Sequence, residues 1–277
     1  MEVPTLNDEF GPTTGLVPIQ DVFHVLQTLH REYDPTLALT HVEYDISGLE
    51  PGSIRQASRL HVEDQSATVV GNCLIGNVGG AIFAFRSVNT TVAKNHVITD
   101  APGINVEGGS RNTKVVGNNI SGAAWGIAVI DAHRGFFPGN TIHNTCGGMF
   151  FEAAPSHPVD DFEVKGNTVE NNTRSCRAAQ WGANFSGIGI AVLGARGMEL
   201  TGNQISGNVP SGPTPVSGGV IVSTNPFFGG SVKPRNNSVT GNLLGHNKPD
   251  IYWDKSGSGN SFLGNLCNSS VPSRLCN

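Results

Sequence analysis

Asparagine recurs along the chain in a fixed frame, and an apolar residue usually follows it two positions later. The frame occurs at Asn72, Asn95, Asn118, Asn140, Asn167, Asn203, Asn242 and Asn265. The successive spacings are 23, 23, 22, 27, 36, 39 and 23 residues, and the longer ones contain insertions. Repetition at a period of about 23 residues is typical of solenoids, in which each repeat packs only on its neighbours.

Each unit also contains a second extended segment in which apolar positions alternate. The segments are AIFAF, GINVE, GIAVI, GMFFE, GIAVL, GVIVS and DIYWD. Alternation predicts a β-strand with one buried face, so side chains such as Ile104 and Val106 are expected to point inward. Asparagine suits the bends because it tolerates left-handed backbone angles and its amide can bond to the asparagine above and below. The pattern therefore predicts coils of short parallel strands, stacked at about 4.8 Å per rung.

Between about residue 60 and residue 268 these units resemble the right-handed parallel β-helix repeat proteins of the pectate-lyase-like superfamily. The resemblance implies an all-β fold, a right-handed single-stranded parallel β-helix (solenoid) of about eight rungs. We assign residues 1–59 to an N-terminal segment and residues 60–277 to the β-helix with its C-terminal cap. Apolar residues from Ile19 to Tyr33 recur at helical spacing, which predicts an N-terminal capping helix over the open end of the solenoid.

Net charge and the length of the apolar runs exclude two classes of protein. The chain has 17 Lys and Arg against 22 Asp and Glu, giving a net charge of −5, whereas a nucleic-acid binder needs clustered positive charge. No apolar run approaches the roughly 18 residues of a membrane-spanning helix. We therefore expect no nucleic-acid partner and no membrane partner.

The cysteines favour an oxidising compartment. The repeat phase brings Cys146 near Cys176, and Cys267 and Cys276 bracket a short tail, so two disulfides are expected and Cys73 is left over. Asn-x-Ser/Thr sequences, which would suit a glycoprotein but also arise by chance in Asn-rich repeats, begin at Asn89, Asn119, Asn171, Asn184, Asn236 and Asn268. No secretory signal is visible in the first ten residues, because they have neither a basic stretch nor an apolar one. We predict a secreted or secretory-pathway protein, with a cytoplasmic one as the alternative.

The outward face of the second segment is unusually apolar. Ile130, Phe150, Leu193 and Ile221 are predicted to form a contiguous apolar floor on the exposed surface, which is typical of a binding site or an interface. Insertions beside the same rungs are expected to wall this floor, because long loops in compact folds tend to be functional. Further substrate-binding candidates on these insertions and loops are Arg177, Trp181, Phe227, Phe228, His157 and Asp161. The alternatives are that the insertions, or a second subunit in a homo-oligomer, simply cover the floor.

Three residues are candidates for acid/base catalysis. Glu152 stands between Ile130 and Leu193, so desolvation is expected to favour its neutral form and make it a proton donor. Asp131 and His133 lie one rung earlier and are predicted to form a carboxylate-oriented imidazole. The alternative is that Glu152 is an ordinary solvent-facing residue and His133 an ordinary bend residue.

No cofactor or metal is expected. The GIGIAVLG segment at residues 187–194 departs from the spaced glycine pattern of nucleotide-binding loops, and neither HExxH nor CxxC occurs. DAHR at residues 131–134 resembles the Asp-Pro-His-Asp motif of alginate epimerases but lacks its proline and its last aspartate.

The pattern favours a cofactor-independent acid/base enzyme. An isomerase, a dehydratase or a cyclase, including one for cycloaddition, would act on a small, largely apolar molecule, because each such reaction gains from orientation and one placed acid. The resemblance implies a first alternative, a lyase or epimerase of uronate polysaccharides, which a row of Arg and Lys along the outer rungs would favour. The second alternative is a non-catalytic structural or binding solenoid.

Overall fold

The computed structural model describes residues 60–62, 65–76, 80–178, 183–227 and 231–276. The predicted N-terminal helix lies outside these residues, and the rung number, the N-terminal cap and the domain boundary at residue 59 stay predictions. Within the described residues every regular element is a β-strand, and the strands of successive rungs pair in parallel. The all-β, parallel solenoid fold is therefore confirmed.

Each coil contributes to three faces, which follow one another in chain order. The first face contains β2 (Thr68–Val70), β5 (Thr91–Ala93), β12 (Val159–Lys165), β17 (Glu199–Thr201), β20 (Ser238–Thr240) and β23 (Ser261–Leu263). The second face contains β3 (Cys73–Ile75), β6 (His96–Ile98), β8 (Asn119–Ser121), β10 (Thr141–His143), β13 (Thr168–Glu170), β18 (Gln204–Ser206) and β21 (Leu243–Gly245). The third face contains β1 (Leu60–Val62), β4 (Ile82–Phe85), β11 (Gly147–Glu152), β16 (Ile188–Leu193), β19 (Gly218–Ser223), β22 (Ile251–Trp253) and β24 (Ser270–Val271).

Two long strands join the third face to the first. β7 (Ile104–Val116) and β9 (Trp125–Pro138) continue around the corner between these faces, so their rungs have fewer and longer strands than the sequence pattern indicates. In the β12 rung the corner belongs to that strand, whereas in the rungs of Val88, Arg196 and Arg235 it is a loop that holds one bridging residue. The corner column runs, in register, through Arg111, His133, Asp160, Arg196 and Arg235.

The interior is filled by apolar side chains and bordered by the asparagine ladder. Ile104, Ile127, Met149, Ile190 and Val220 are fully buried in one contiguous core. The framed asparagines bond to each other from rung to rung, as in the 2.9 Å bond from Asn118 Nδ2 to Asn140 Oδ1. The ladder thus satisfies the buried polar groups of one bend and fixes the register of the stacked coils.

The C-terminal end is held by Asp250 and a disulfide. Asp250 Oδ1 accepts from the backbone and side-chain amides of Asn247, and Oδ2 accepts from Asn268 and Ser269. These bonds outweigh the effect of burial, which alone would raise the pKa of Asp250, and hold that pKa below its ordinary value. The Cys267–Cys276 disulfide closes the tail, and Cys146–Cys176 is also bonded, so both predicted pairs are present and Cys73 is the free thiol of the described residues.

One column of glycines allows the third face to stack closely. A Cβ at Gly126 would lie 2.7 Å from the carbonyl oxygen of Gly148, and one at Gly189 would lie 2.2 Å from that of Gly219. Any side chain at these positions would push successive rungs apart. The glycines that open the GIAVI, GMFFE and GIAVL segments therefore serve rung stacking.

Candidate functional site

The predicted apolar floor lies on the outside of the third face, but it is not exposed. Phe150, Leu193 and Ile221 are each 0% exposed, while Ile130 is half-buried. The prediction of an open apolar surface is therefore wrong, because the insertions pack onto it and form a second hydrophobic cluster outside the solenoid. We call this set the outer cluster: Trp125, Ala128, Cys146, Phe150, Phe185, Ile188, Ala191, Leu193 and Ile221.

The largest insertion supplies most of this cover. It contains the antiparallel pair β14 (Cys176–Ala178) and β15 (Ala183–Phe185), and the Cys146–Cys176 disulfide ties the pair to the rung below. The buried Phe185 ring meets Phe150 edge-on at 5.7 Å between centroids. Aromatic contacts of this kind and the excluded apolar area stabilise the closed arrangement.

The binding candidates on the insertions are dispersed. Phe227 is half-buried and packs against the outer cluster, whereas Arg177 is exposed to solvent on β14. Trp181 and Phe228 lie outside the described residues. A role for any of these four in ligand binding stays a prediction.

Glu152 is buried beside the outer cluster without a partner. It is 0% exposed, and neither carboxylate oxygen has a hydrogen-bond partner among the residues that the structure describes. Burial raises the pKa of Glu152 to about 8, and the nearby carboxylate of Glu107 adds to the rise. The prediction of a neutral, desolvated carboxyl therefore agrees with the geometry, and its catalytic role stays a prediction.

A polar chain spans the two rungs below Glu152 on the same face. Trp125 Nε1 donates to Asn105 Oδ1 at 3.0 Å, and Asn105 Nδ2 donates to Glu107 Oε1 at 2.9 Å. Ile130 separates Glu107 from Glu152 in the strand register. Glu107 thus accepts a hydrogen bond from an amide, whereas Glu152 has no donor among the described residues.

The predicted pairing of His133 with Asp131 is wrong. His133 Nδ1 contacts Asp160 Oδ1 at 2.8 Å, because the corner column places these two residues in register on adjacent rungs. Asp131, two residues before His133, faces His157 instead, with 3.6 Å between Asp131 Oδ2 and His157 Nδ1. Asp161, which is expected on a loop, belongs instead to β12 and is exposed.

Asp160 joins His133 to an arginine of the next rung. Arg196 Nη2 donates to Asp160 Oδ2 at 2.9 Å, and Asp160 itself is only 6% exposed. Although burial alone would raise the pKa of Asp160, the bonds from His133 and Arg196 lower it below its ordinary value. Asp160 is therefore a carboxylate shared by an imidazole and a guanidinium.

A cleft of about 510 Å³ opens at the corner beside Arg196. Its cationic side is formed by Arg196, Lys233 and Arg235, and its apolar wall includes Ala154, Pro155 and Pro158. Neither Lys233 nor Arg235 forms an ion pair or a side-chain hydrogen bond with another described residue. We call this site the cationic cleft; the sequence pattern did not single out its cations, because their juxtaposition depends on the lengths of two insertions.

Within the described ranges, no group of three or more His, Cys, Asp or Glu side chains is placed to hold a metal ion. No helix in the same ranges has the length and apolar character needed to cross a membrane.

Comparisons with known proteins identify the architecture. A family model described as a right-handed beta helix region matches residues 58–244. No curated protein matches the chain. Among solved structures, the crystal structure of PfbA, a surface adhesin of Streptococcus pneumoniae, is similar, with a TM-score of 0.51, 11% sequence identity and 76% of this chain covered. This chain spans 60% of the length of PfbA, and at this identity the likeness shows the fold alone.

Proposed function

We propose that this chain, which belongs to the right-handed β-helix family, is a binding solenoid that recognises an acidic saccharide in the cationic cleft. The proposal is based on the cleft because the fold itself serves many activities. The single observation that carries this proposal is the meeting of Arg196, Lys233 and Arg235 in one cleft of an otherwise acidic chain. Arginines on the outer rungs favour a polyuronate ligand, and the corner column contributes two of them on neighbouring rungs, Arg196 and Arg235.

The cleft chemistry favours a carboxylate-bearing sugar. Lys233 and Arg235, which have no partner among the described residues, offer charge-assisted hydrogen bonds to anionic groups, and arginine can bind a carboxylate in two-point geometry. The wall formed by Ala154, Pro155 and Pro158 offers apolar contact to a sugar ring. A volume of about 510 Å³ lies within the usual range for small-ligand sites, so one or a few sugar units would fit.

An extracellular binding role is consistent with two other observations. The Cys146–Cys176 and Cys267–Cys276 disulfides are typical of proteins in oxidising compartments. PfbA, which shares the fold, is a surface adhesin. Both observations support a secreted binding protein.

We expect the wild-type protein to bind a trigalacturonate, measured by calorimetry, and not the uncharged galactose trimer. Because they remove ionic contacts, Lys233→Gln and Arg235→Gln are each expected to weaken the affinity about tenfold or more. Affinity should also fall with added salt. The matched control is Lys114→Gln, an exposed lysine of β7 on the first face, which should bind like wild type. Equal binding of charged and uncharged trimers would contradict the proposal.

A cofactor-independent acid/base enzyme is the second candidate, and the specific observation that favours it is Glu152. A carboxyl that is fully buried, unpartnered among the described residues and neutral at pH 7 has the protonation state of a general acid. The outer cluster fills the space predicted for an apolar substrate, so such a substrate would have to displace Phe185 or its neighbours. Chemical conversion of a bound ligand by wild type, lost in Glu152→Gln without loss of affinity, would favour this candidate; recovery of unchanged ligand would favour binding alone.

A further inference from the structure

We propose that Asp160 couples the protonation of His133 to the charge of the cationic cleft, so that the cleft binds anions more tightly as His133 becomes protonated. The anion-binding half of this inference rests on the proposed function. The coupling half rests on Asp160 itself, whose two oxygens contact an imidazole and a guanidinium on opposite rungs.

The geometry makes Asp160 the shared element. His133 contacts Oδ1 at 2.8 Å and Arg196 contacts Oδ2 at 2.9 Å. Because an ionised carboxylate only accepts hydrogen bonds, Nδ1 of His133 carries the hydrogen in both charge states of the ring, and protonation takes place at Nε2. The Asp160 side chain is 9% exposed, so water screens its interactions with both partners weakly. The Arg196 side chain is 64% exposed and lines the cleft, so it is the part of this unit that a ligand can reach.

The charge of the unit depends on His133. With a neutral imidazole, Asp160 and Arg196 sum to zero, and the cleft relies on Lys233 and Arg235. With a protonated imidazole, one carboxylate is shared by two cations, the unit carries +1, and the guanidinium of Arg196 is less compensated. An anion in the cleft is then attracted more strongly, and by linkage a bound anion must favour protonation of His133 to the same extent.

Other charged groups near His133 modulate this coupling. Arg111 of β7 lies in register with His133, and Arg134 follows it on the same strand. Asp131 precedes His133 on β9, and Asp161 follows Asp160 on β12. His157 contacts Asp131, so its own protonation partly offsets that carboxylate. Among the described residues none of these groups bonds to Asp160. His133 is therefore the titratable side chain that Asp160 connects to Arg196.

The coupling is tested first without any ligand, by NMR titration of the His133 ring. Arg196→Gln removes the cation that competes for Asp160, so it should move the His133 titration midpoint to higher pH by about half a pH unit. Asp160→Asn should move the midpoint to lower pH by at least as much, because the carboxylate is lost. The control is His96→Gln, on the exposed side of β6 on the second face, which should leave the His133 midpoint unchanged. An unchanged midpoint in Arg196→Gln would overturn the coupling.

The effect on binding is then measured by calorimetry with trigalacturonate at pH 5.5 and pH 8. Wild type and His96→Gln should bind about fivefold more tightly at pH 5.5, because His is the side chain that ordinarily changes charge in this range. His133→Gln should bind with nearly the same affinity at both pH values. If wild type shows no binding at either pH while the NMR coupling holds, the proposed saccharide function fails and the coupling stands. If trigalacturonate binds but His133→Gln keeps the full pH dependence, the inference is wrong and the saccharide function stands.

Discussion

Replacing Asn118 with alanine is expected to lower the free energy of unfolding by about 3–5 kcal/mol. Asn118 Oδ1 accepts from the backbone and side-chain nitrogens of Asn95, while Nδ2 donates to Val92 O and Asn140 Oδ1. Asn118 is 1% exposed, so water cannot replace these bonds. Alanine would therefore leave several buried polar groups unsatisfied in the middle of the ladder, and each such group costs about 1–3 kcal/mol.

The neighbouring residue provides a matched control for this measurement. Asn119 is exposed on β8. Asn119→Ala should change stability by less than about 0.5 kcal/mol in the same urea denaturation. Equal effects of the two substitutions would show that the ladder bonds do not stabilise the solenoid.

Stability of the wild type is expected to fall by about 4 kcal/mol, relative to Glu152→Gln, between pH 4 and pH 8. Glu152 has a pKa of about 8 in the folded chain against 4.5 for an ordinary glutamate, so across this range the unfolded chain loses its proton first. The folded state then binds more protons than the unfolded state, and raising the pH favours unfolding. Below pH 4.5 the carboxyl is neutral in both states and the penalty disappears.

The measurement is urea denaturation of both proteins at several pH values. Other titrating groups contribute equally to the two proteins, so only the difference between them reports on Glu152. Glu170→Gln, at a partly exposed position of β13, is the control and should follow the wild-type pH profile. A constant difference between wild type and Glu152→Gln from pH 4 to pH 8 would mean that folding does not raise the pKa of Glu152.

Much of the fold is predictable from the sequence because its determinants are local and repeated. The position of each framed asparagine predicts a bend, and the alternation in segments such as GIAVI predicts which side chains enter the core, as Ile127 and Val129 do. Register follows as well, since like positions such as Asn95 and Asn118 stack at a spacing of 23 residues. The Cys146–Cys176 pair follows from the same phase, and the Cys267–Cys276 pair follows from the short tail that these two cysteines bracket.

The candidate site is less predictable because it depends on rungs of unequal length. Arg196 is 36 residues from Asp160, and its neighbour in the corner column, Arg235, follows after a further insertion. A pattern read over one period pairs His133 with the nearby Asp131, whereas the folded chain pairs it with Asp160 of the next rung. Exposure was mispredicted for a related reason: alternation indicates that Phe150 points outward, but not that Phe185 covers it.

The central claim is that an acidic saccharide binds in the cationic cleft, and a crystal structure of the protein soaked with trigalacturonate tests it most directly. We predict ligand density between residues 153–158 and residues 231–235, with a sugar carboxylate within hydrogen-bond distance of Lys233 or Arg235. Density elsewhere, for example over Phe150 and Glu152 with Phe185 displaced, would contradict the claim and favour the acid/base enzyme instead.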